Sequence, residues 1–270
     1  MKLHLARRRD RIESTGHADP ADGIGLSVLR HLDELRRRIV YACAGVGVGM
    51  IAAFAYIKPV FDFVFQPIRS ALPPGSKLIY TQPGEAFSVW VQIALIAGVV
   101  VAMPWVMYQM WRVIEPALEP RFKRYVVPFI LLTTIGFVGG ALFNHFVVFH
   151  MMIVFFASFS TVSLTFMPKL DDVFGLYTKM LFGMGLVFQM PALVFFLAKM
   201  GLVTWRFLLR NFKYAVFVIF IVAAVITPSP DAATQTLFAM PMIGLYLLSI
   251  LIAWMVGPIA RPADASLDEE

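Results

Sequence analysis

The sequence is poor in charged residues and almost free of cysteine. Asp, Glu, Lys and Arg make up 15% of its 270 residues, whereas apolar residues make up 59%. Soluble globular domains are closer to a quarter charged and half apolar, so this composition predicts an integral membrane protein. The single cysteine, Cys43, lies inside an apolar run, so no disulfide can form within the chain.

The sequence also lacks the motifs that carry common catalytic chemistry. It contains no G-x-S-x-G, HExxH or phosphate-binding loop pattern. His145 and His150 are five residues apart, a spacing that does not place two metal ligands on one face of a helix. We therefore predict that the protein is not an enzyme and that it binds no metal and no cofactor.

Long apolar runs predict an all-α membrane protein with six transmembrane helices. The fifth run contains only 13 residues, which is about 20 Å of helix against about 30 Å of hydrocarbon. That mismatch predicts that the following turn, Thr227–Asp231, lies below the outer membrane surface. The six predicted spans are Ile39–Ile57, Ala86–Trp111, Tyr125 to about Val148, Met180–Ala198, Tyr214–Ile226 and Thr236–Val256.

The distribution of basic residues predicts the orientation. Residues 1–38, 112–124, 199–213 and the tail after 256 hold 18 of the 23 Lys and Arg residues. Cytoplasmic segments are the ones enriched in Lys and Arg, so both termini are predicted to be cytoplasmic. Residues 125–168 contain no Asp, Glu, Lys or Arg, but splitting them into two spans would place the basic segment 199–213 outside.

Three parts of the chain follow from this pattern. We predict a flexible cytoplasmic tail over residues 1–24, one six-helix membrane domain over 25–257 and a cytoplasmic tail over 258–270. The net charge of +6 is concentrated near the membrane boundaries. This placement favours membrane lipids, and not nucleic acid, as the partner of the basic residues.

The segment from His31 to Arg38 is a short charged helix directly before the first span. Its arginines could hold that span at an anionic membrane leaflet. Alternatively, a carboxylate fixed at the mouth of a membrane protein, such as Glu34, could pair with an arginine-bearing ligand through a bidentate fork. The segment by itself leaves both interpretations open.

Four motifs along the chain resemble those of the TatC family in sequence and in order. Members of this family are components of the twin-arginine protein translocase. The resemblance extends from about residue 26 to 256. The motifs are His31-Leu-Asp-Glu-Leu-Arg36, Tyr108-Gln-Met-Trp111 with Pro116-Ala-Leu118, Phe182-Gly-Met-Gly-Leu-Val-Phe-Gln-Met-Pro191, and Thr227-Pro-Ser-Pro-Asp231 with Gln235-Thr-Leu-Phe-Ala-Met-Pro241.

The resemblance implies a receptor in a bacterial inner membrane. It implies a bowl-shaped bundle with short fifth and sixth helices, which binds the twin-arginine signal peptides of folded precursors at its cytoplasmic face. Further implied partners are TatA- and TatB-type single-span proteins and other copies of the chain, with transport driven by the protonmotive force. The glutamate and arginine of the family's first motif fall on Glu34 and Arg36.

The sequence departs from the family pattern at several positions. Phe122 stands where a second acidic residue is often found, and Glu119, one helical turn earlier, could supply that carboxylate instead. Glu115 falls at the same cytoplasmic rim, where it could either contact the ligand or cap the loop. Gln189 stands in the fourth span in place of a carboxylate, and it keeps a polar group for partner or helix contacts without burying a charge. Val113 replaces an aromatic residue.

The outer turn before the last span contains Pro228 and Asp231. The alternative function for a chain of this pattern is a six-span small-molecule transporter. The absence of charged residues from the predicted spans counts against that alternative.

Overall fold

The protein is almost entirely α-helical, as the sequence predicts. A computed structural model describes residues 20–72, 78–117, 120, 125–161, 166–227 and 231–256, with side chains from Leu32 onward except that of Ala117. In order, the helices are α1 (Pro20–Ala55), α2 (Ile57–Ala71), α3 (Glu85–Ile114), α4 (Val126–Phe143), α5 (Phe149–Ala157), α6 (Leu170–Val187), α7 (Met190–Lys199), α8 (Trp205–Arg210), α9 (Phe212–Ile226) and α10 (Ala232–Val256). A π-helical turn, Asn144–Val148, joins α4 to α5. Of the two predicted tails, residues 1–19 and 258–270 lie outside the described residues.

Long apolar stretches dominate the described residues. Five are long and apolar enough to cross a membrane, judged by length and composition: Leu32–Ala55, Glu85–Ile114, Val126–Ala157, Leu170–Lys199 and Ala232–Val256. The apolar helix α9 has only 15 residues. The prediction that the fifth helix is short is therefore confirmed.

The prediction that the sixth helix is also short is wrong. α10 contains 25 residues, about 37 Å of helix. Its apolar sequence continues unbroken by charge to Val256, and Pro241 lies within the continuous helix. The helix also begins before the predicted start at Thr236, because Asp231 accepts the backbone N–H of Thr234 and so caps an additional turn.

The third and fourth spans differ from their predicted bounds. The third continues through the π-helical turn as far as Ala157. The fourth begins at Leu170, before the predicted start at Met180, because charged residues can occupy the first turns of a long helix that protrudes from the bilayer. It is interrupted at Phe188–Gln189, since Pro191 lies in the first turn of α7, where its missing N–H is tolerated.

Helix α2 follows the first span and is absent from the predicted elements. Its buried residues include Ile57, Phe65 and Ile68, whereas Asp62 and Arg69 are exposed and form an ion pair of 3.0 Å. The spacing of its apolar residues along one helix face is the signal that would predict it.

Helices α1 and α3 pack with their backbones in close approach. A Cβ atom added to Gly49 would lie 2.6 Å from the carbonyl oxygen of Gly98. Along the same interface, Trp105 Nε1 donates to the carbonyl of Tyr41 at 2.9 Å. Small residues that permit such contacts are typical of helix pairs in membranes. The hydrophobic effect does not drive helices together within lipid, so their association depends on close packing.

One end of the bundle collects basic side chains, and we call it the basic end. It contains Arg38 of α1, Arg112 of α3 and Lys199 of α7. Lys199 Nζ donates to the carbonyl of Val256 at 3.0 Å, and it lies 5.7 Å from the ring centre of Tyr125. The middle of α1 around Arg38, the end of α3, the start of α4 and the ends of α7 and α10 thus share this end.

Candidate functional site

Glu34, the predicted ligand-binding carboxylate, lies at the basic end where α1 meets α3. Arg38 follows it by one helical turn, and its Nη2 lies 3.4 Å from Glu34 Oε1. The Glu34 side chain keeps 33% of its surface exposed, whereas that of Arg38 keeps 14%. The carboxylate is therefore both paired within the chain and accessible from the surface.

Arg38 connects Glu34 to helix α3. Its Nη1 donates to Gln109 Oε1 at 3.4 Å. Its Nε is buried and has no hydrogen-bond partner among the described residues. The two contacts are long for hydrogen bonds of a guanidinium, so the arginine is held loosely.

Glu115 is the second predicted carboxylate of this site. It begins the 3₁₀ turn that follows α3, and its Oε2 lies 3.2 Å from Arg112 Nη1. Arg38 contacts Gln109, which precedes Arg112 on α3 by three residues, so the two ion pairs lie close together. We call Glu34, Arg38, Arg112 and Glu115 together the carboxylate–arginine cluster.

An apolar groove adjoins this cluster between α1 and α3. Its volume is about 200 Å³. Arg38 and Gln109 are polar residues of its lining, and Val113, where the family pattern has an aromatic residue, is one of the apolar ones. The site therefore combines carboxylates with an adjacent apolar surface. The apolar lining consists of Leu35, Ile39, Ala42, Met110, Val113 and Ile114.

The other predicted residues of the basic end are only partly placed. Arg36 is exposed on α1. Glu119 and Phe122 lie outside the described residues, as does Pro228 of the turn before α10. The structure thus brings Glu34 and Glu115 into one site and leaves the contribution of Glu119 as a prediction.

Gln189 is buried at the break between α6 and α7. Its Nε2 donates to the carbonyls of Thr133 at 3.1 Å and of Gly185 at 3.2 Å. Its Oε1 is buried without a hydrogen-bond partner in the part of the chain that the structure describes. An unpaired acceptor inside a membrane is costly, so this atom is suited to accept from a polar group of another helix.

Asp231 acts as the N-cap of α10. Its Oδ1 accepts the backbone N–H of Thr234 at 2.7 Å, and its Oδ2 accepts the Thr234 hydroxyl at 2.6 Å. These bonds explain why an acid occupies this turn without invoking a partner. This turn and the carboxylate–arginine cluster lie at opposite ends of the bundle. Val256, at the other end of α10 from Asp231, belongs to the basic end.

Glu85 is a buried carboxylate that no sequence motif singles out. Its Oε2 accepts the backbone N–H groups of Thr81 at 2.9 Å and Gln82 at 3.3 Å, and its Oε1 accepts that of Asp171 at 3.1 Å. Lys169 Nζ lies 3.9 Å from Oε2. Glu85 thus joins the start of α3 to the start of α6, at the end of the bundle opposite the basic end.

The histidines His145 and His150 lie apart from the basic end. His145 is buried in the π-helical turn, where its ring stacks on Phe63 at 4.1 Å and its Nδ1 lies 3.3 Å from the Tyr177 hydroxyl. His150 lies in the first turn of α5. Within the described ranges, no three His, Cys, Asp or Glu residues are grouped to hold a metal.

Comparison with known proteins gives one consistent family. The family model described as Sec-independent protein translocase protein (TatC) matches residues 30–241. The TatC protein of Koribacter versatilis is 40% identical over 240 residues, covering 88% of each chain. That of Desulforapulum autotrophicum is 38% identical over 227 residues, covering 84% of each chain.

Solved structures show the same relationship. A crystal structure of the twin-arginine translocase receptor TatC matches with a TM-score of 0.72 and 32% sequence identity, covering 84% of this chain and 99% of the other. A second crystal structure of that receptor, in the detergent DDM, matches with a TM-score of 0.73 and 32% identity.

Proposed function

The chain belongs to the TatC family of Sec-independent protein translocase proteins, and on this premise we propose that it binds twin-arginine signal peptides of folded precursors at its cytoplasmic face. As a translocase component it serves protein transport and is not an enzyme. We place it in a bacterial inner membrane with both termini cytoplasmic, because basic residues collect at one end of the bundle.

The carboxylate–arginine cluster is the observation that carries this proposal. Glu34 and Glu115 supply two carboxylates within this cluster, and each is partly exposed. A carboxylate accepts the planar fork of a guanidinium better than it accepts the point charge of an ammonium group. Two carboxylates at the basic end are therefore suited to a ligand with two neighbouring arginines.

Glu119 and Arg36 complete the proposed signal-peptide site. Glu119 follows Glu115 by four residues in the sequence, and we assign it to the site as a third carboxylate. Arg36 is exposed on the same helix as Glu34. We assign it to the site because it stands at the arginine of the family's first motif.

Gln189 is the proposed contact for a single-span partner protein. Its Oε1 is buried without a partner among the described residues, so it would accept from a polar side chain of a TatA- or TatB-type helix that packs into the break between α6 and α7. The turn that contains Pro228 and Asp231 is a second candidate contact at the opposite end of the bundle. Other copies of the chain and membrane lipids are further partners in this proposal, and the protonmotive force is its energy source.

Site-specific photocrosslinking tests the receptor function. A photoreactive residue is introduced at Asp33 or Arg37, which are exposed neighbours of Glu34, and at Glu119. Gln82, exposed near Glu85 at the other end of the bundle, is the matched control position. Each variant is incubated in membranes with a twin-arginine precursor and with the same precursor carrying two lysines.

We expect crosslinks to the twin-arginine precursor from the positions at the basic end and none from Gln82. Glu34→Gln should weaken binding about 30-fold or more, since removing one side of a partly desolvated charge pair costs about 2–5 kcal/mol. If both precursors crosslink equally, the site does not recognise paired arginines. The arginines of α1 would then serve only to anchor the first span at the membrane surface. The relatives of the chain give no support to the small-molecule transporter alternative.

A further inference from the structure

Each carboxylate of the cluster is already paired with an arginine of the same chain. We propose that Arg38 and Arg112 are internal competitors for Glu34 and Glu115, which a ligand with two guanidinium groups displaces, and that they set the affinity threshold of the site. This inference rests on the proposed receptor function and adds to it the reason why a weak ligand, with one arginine or a pair of lysines, leaves the site empty at a concentration at which a pair of arginines fills it.

The contacts of Arg38 are those of a group that can exchange partners. Its Nη2 lies 3.4 Å from Glu34, and its Nη1 lies 3.4 Å from Gln109 Oε1 on α3. When a ligand takes the carboxylate, Gln109 remains as an acceptor for the displaced guanidinium. Its buried Nε has no partner among the described residues, so the present pairing does not satisfy all of its donors.

Arg112 has a comparable second partner. Its Nη1 lies 3.2 Å from Glu115, and its guanidinium carbon lies 5.7 Å from the ring centre of Tyr108. The aromatic face can retain the cation after Glu115 is taken by a ligand. Its Nε is also buried without a hydrogen-bond partner in the described ranges.

The competition acts as a threshold for the ligand. An internal arginine is always present beside its carboxylate, at the high effective concentration of a tethered group. Each internal arginine contacts its carboxylate through a single nitrogen. A ligand guanidinium can form two parallel bonds to the same carboxylate, whereas a ligand ammonium group offers a strongly hydrated point charge. A ligand with one arginine displaces one internal pair and leaves the other intact, whereas a ligand with two arginines replaces both.

This role differs in its measurable effects from a purely structural one. If the arginines only held α1 against α3, removing either would lower the affinity for every ligand by the same factor. If they compete with the ligand, removing either relieves the competition, and the affinity for every ligand that uses that carboxylate rises by the same factor. The direction of the change in affinity therefore distinguishes the two roles.

The test uses the full-length chain in nanodiscs and three fluorescent signal peptides. The peptides carry Arg-Arg, Arg-Lys or Lys-Lys at the paired position and are otherwise identical. Their dissociation constants are measured for the wild type, Arg38→Gln and Arg112→Gln. Arg69→Gln is the matched control, because Arg69 also pairs with a carboxylate, Asp62 at 3.0 Å, but lies on α2.

We expect Arg38→Gln and Arg112→Gln each to tighten the binding of all three peptides about threefold, with the order of their affinities unchanged. Arg69→Gln should leave the three dissociation constants at their wild-type values, and Arg38→Lys should give intermediate affinities because it keeps the competing charge. Because the Arg112 side chain is 42% exposed and that of Arg38 only 14%, Arg112→Gln should disturb folding less than Arg38→Gln.

The outcomes separate this inference from the receptor function. Unchanged or weaker binding of all three peptides by both variants would overturn the competition, while a wild-type preference for Arg-Arg would still support the receptor. A wild type that binds all three peptides equally, or that is unaffected by Glu34→Gln, would overturn the receptor function itself.

Discussion

Several of the described carboxylates lie at helix ends, and the helix dipole favours some of them but not all. Glu85 begins α3 and Asp231 caps α10, so both lie where the positive end of the helix dipole favours an anion. Glu115 instead follows the last turn of α3, where the dipole disfavours a negative charge. Its ion pair with Arg112, at 3.2 Å, offsets that unfavourable position.

The capping role of Asp231 gives a prediction for this residue. Asp231→Ala should lower the free energy of unfolding by about 1 kcal/mol, because the N–H of Thr234 loses its acceptor. Asp231→Asn should have a smaller effect, since asparagine caps helices nearly as well. Unfolding of the detergent-solubilised protein by SDS, followed by circular dichroism, measures both changes.

The same two variants separate the cap from a partner contact. If both support normal export of a twin-arginine precursor, Asp231 serves the fold. A loss of export by Asp231→Asn at unchanged stability would show that the carboxylate has a second role.

For single residues, the sequence indicates a role when the residue lies in a recognisable motif. It does not indicate a role that depends on partners far away in the sequence. Glu34 is predictable because it stands in a charged segment before an apolar run. Glu85 is not, because one of its backbone donors belongs to Asp171, 86 residues further along the chain. Gln189 is recognisable as polar, but its partner Thr133 emerges only from the packing of α4 against the end of α6.

Among the helices, the pair α1 and α3 depends most directly on residue size. A Cβ atom on Gly98 would lie 2.5 Å from the backbone nitrogen of Met50, whereas a Cβ atom on Gly47 would meet no atom within 4 Å. The two glycines belong to the two helices of this pair, so they form a matched test of close packing.

Gly98→Ala should destabilise the protein by about 1–3 kcal/mol, because the added methyl group pushes the backbone of α1 away from α3. Gly47→Ala should be neutral or slightly stabilising, since alanine favours a helix more than glycine does. Thermal unfolding of the two purified variants in the same detergent compares them. Equal melting temperatures would contradict the packing argument.

The sequence predicts the existence of the long helices better than their ends. Apolar runs indicate where a span lies because burial in lipid requires them, and the short α9 follows from its length alone. The ends depend on local caps and on how far each helix protrudes. For this reason Asp171 and Asp172 obscure the start of α6, and several prolines obscure the amphipathic pattern of α2.

For the molecule as a whole, the packing brings the predicted cytoplasmic connections to a common end. Arg38 contacts Gln109, and Lys199 contacts Val256 and the ring of Tyr125. Glu85 and Asp171 meet at the opposite end. This arrangement requires adjacent long helices to alternate in direction, as the distribution of Lys and Arg predicts.

Accessibility labelling tests the orientation of this arrangement. In a Cys43→Ser background, single cysteines are placed at Arg37 and at Gln82, both of which are exposed. A membrane-impermeant maleimide added to intact cells should label Gln82→Cys and should reach Arg37→Cys only after the membrane is opened. The reverse pattern would mean that the basic end faces outward, and it would exclude signal-peptide binding from the cytoplasm.

The two oxygens of Glu85 connect parts of the chain that are synthesised at different times. Oε2 binds Thr81 and Gln82, which lie beside Glu85 in the sequence, whereas Oε1 binds Asp171, 86 residues further along. Beside them, the Leu170 N–H donates to the Ile79 carbonyl, and the Ile79 N–H donates to the Pro168 carbonyl. The start of α3 therefore cannot complete its hydrogen bonds until the start of α6 has been synthesised.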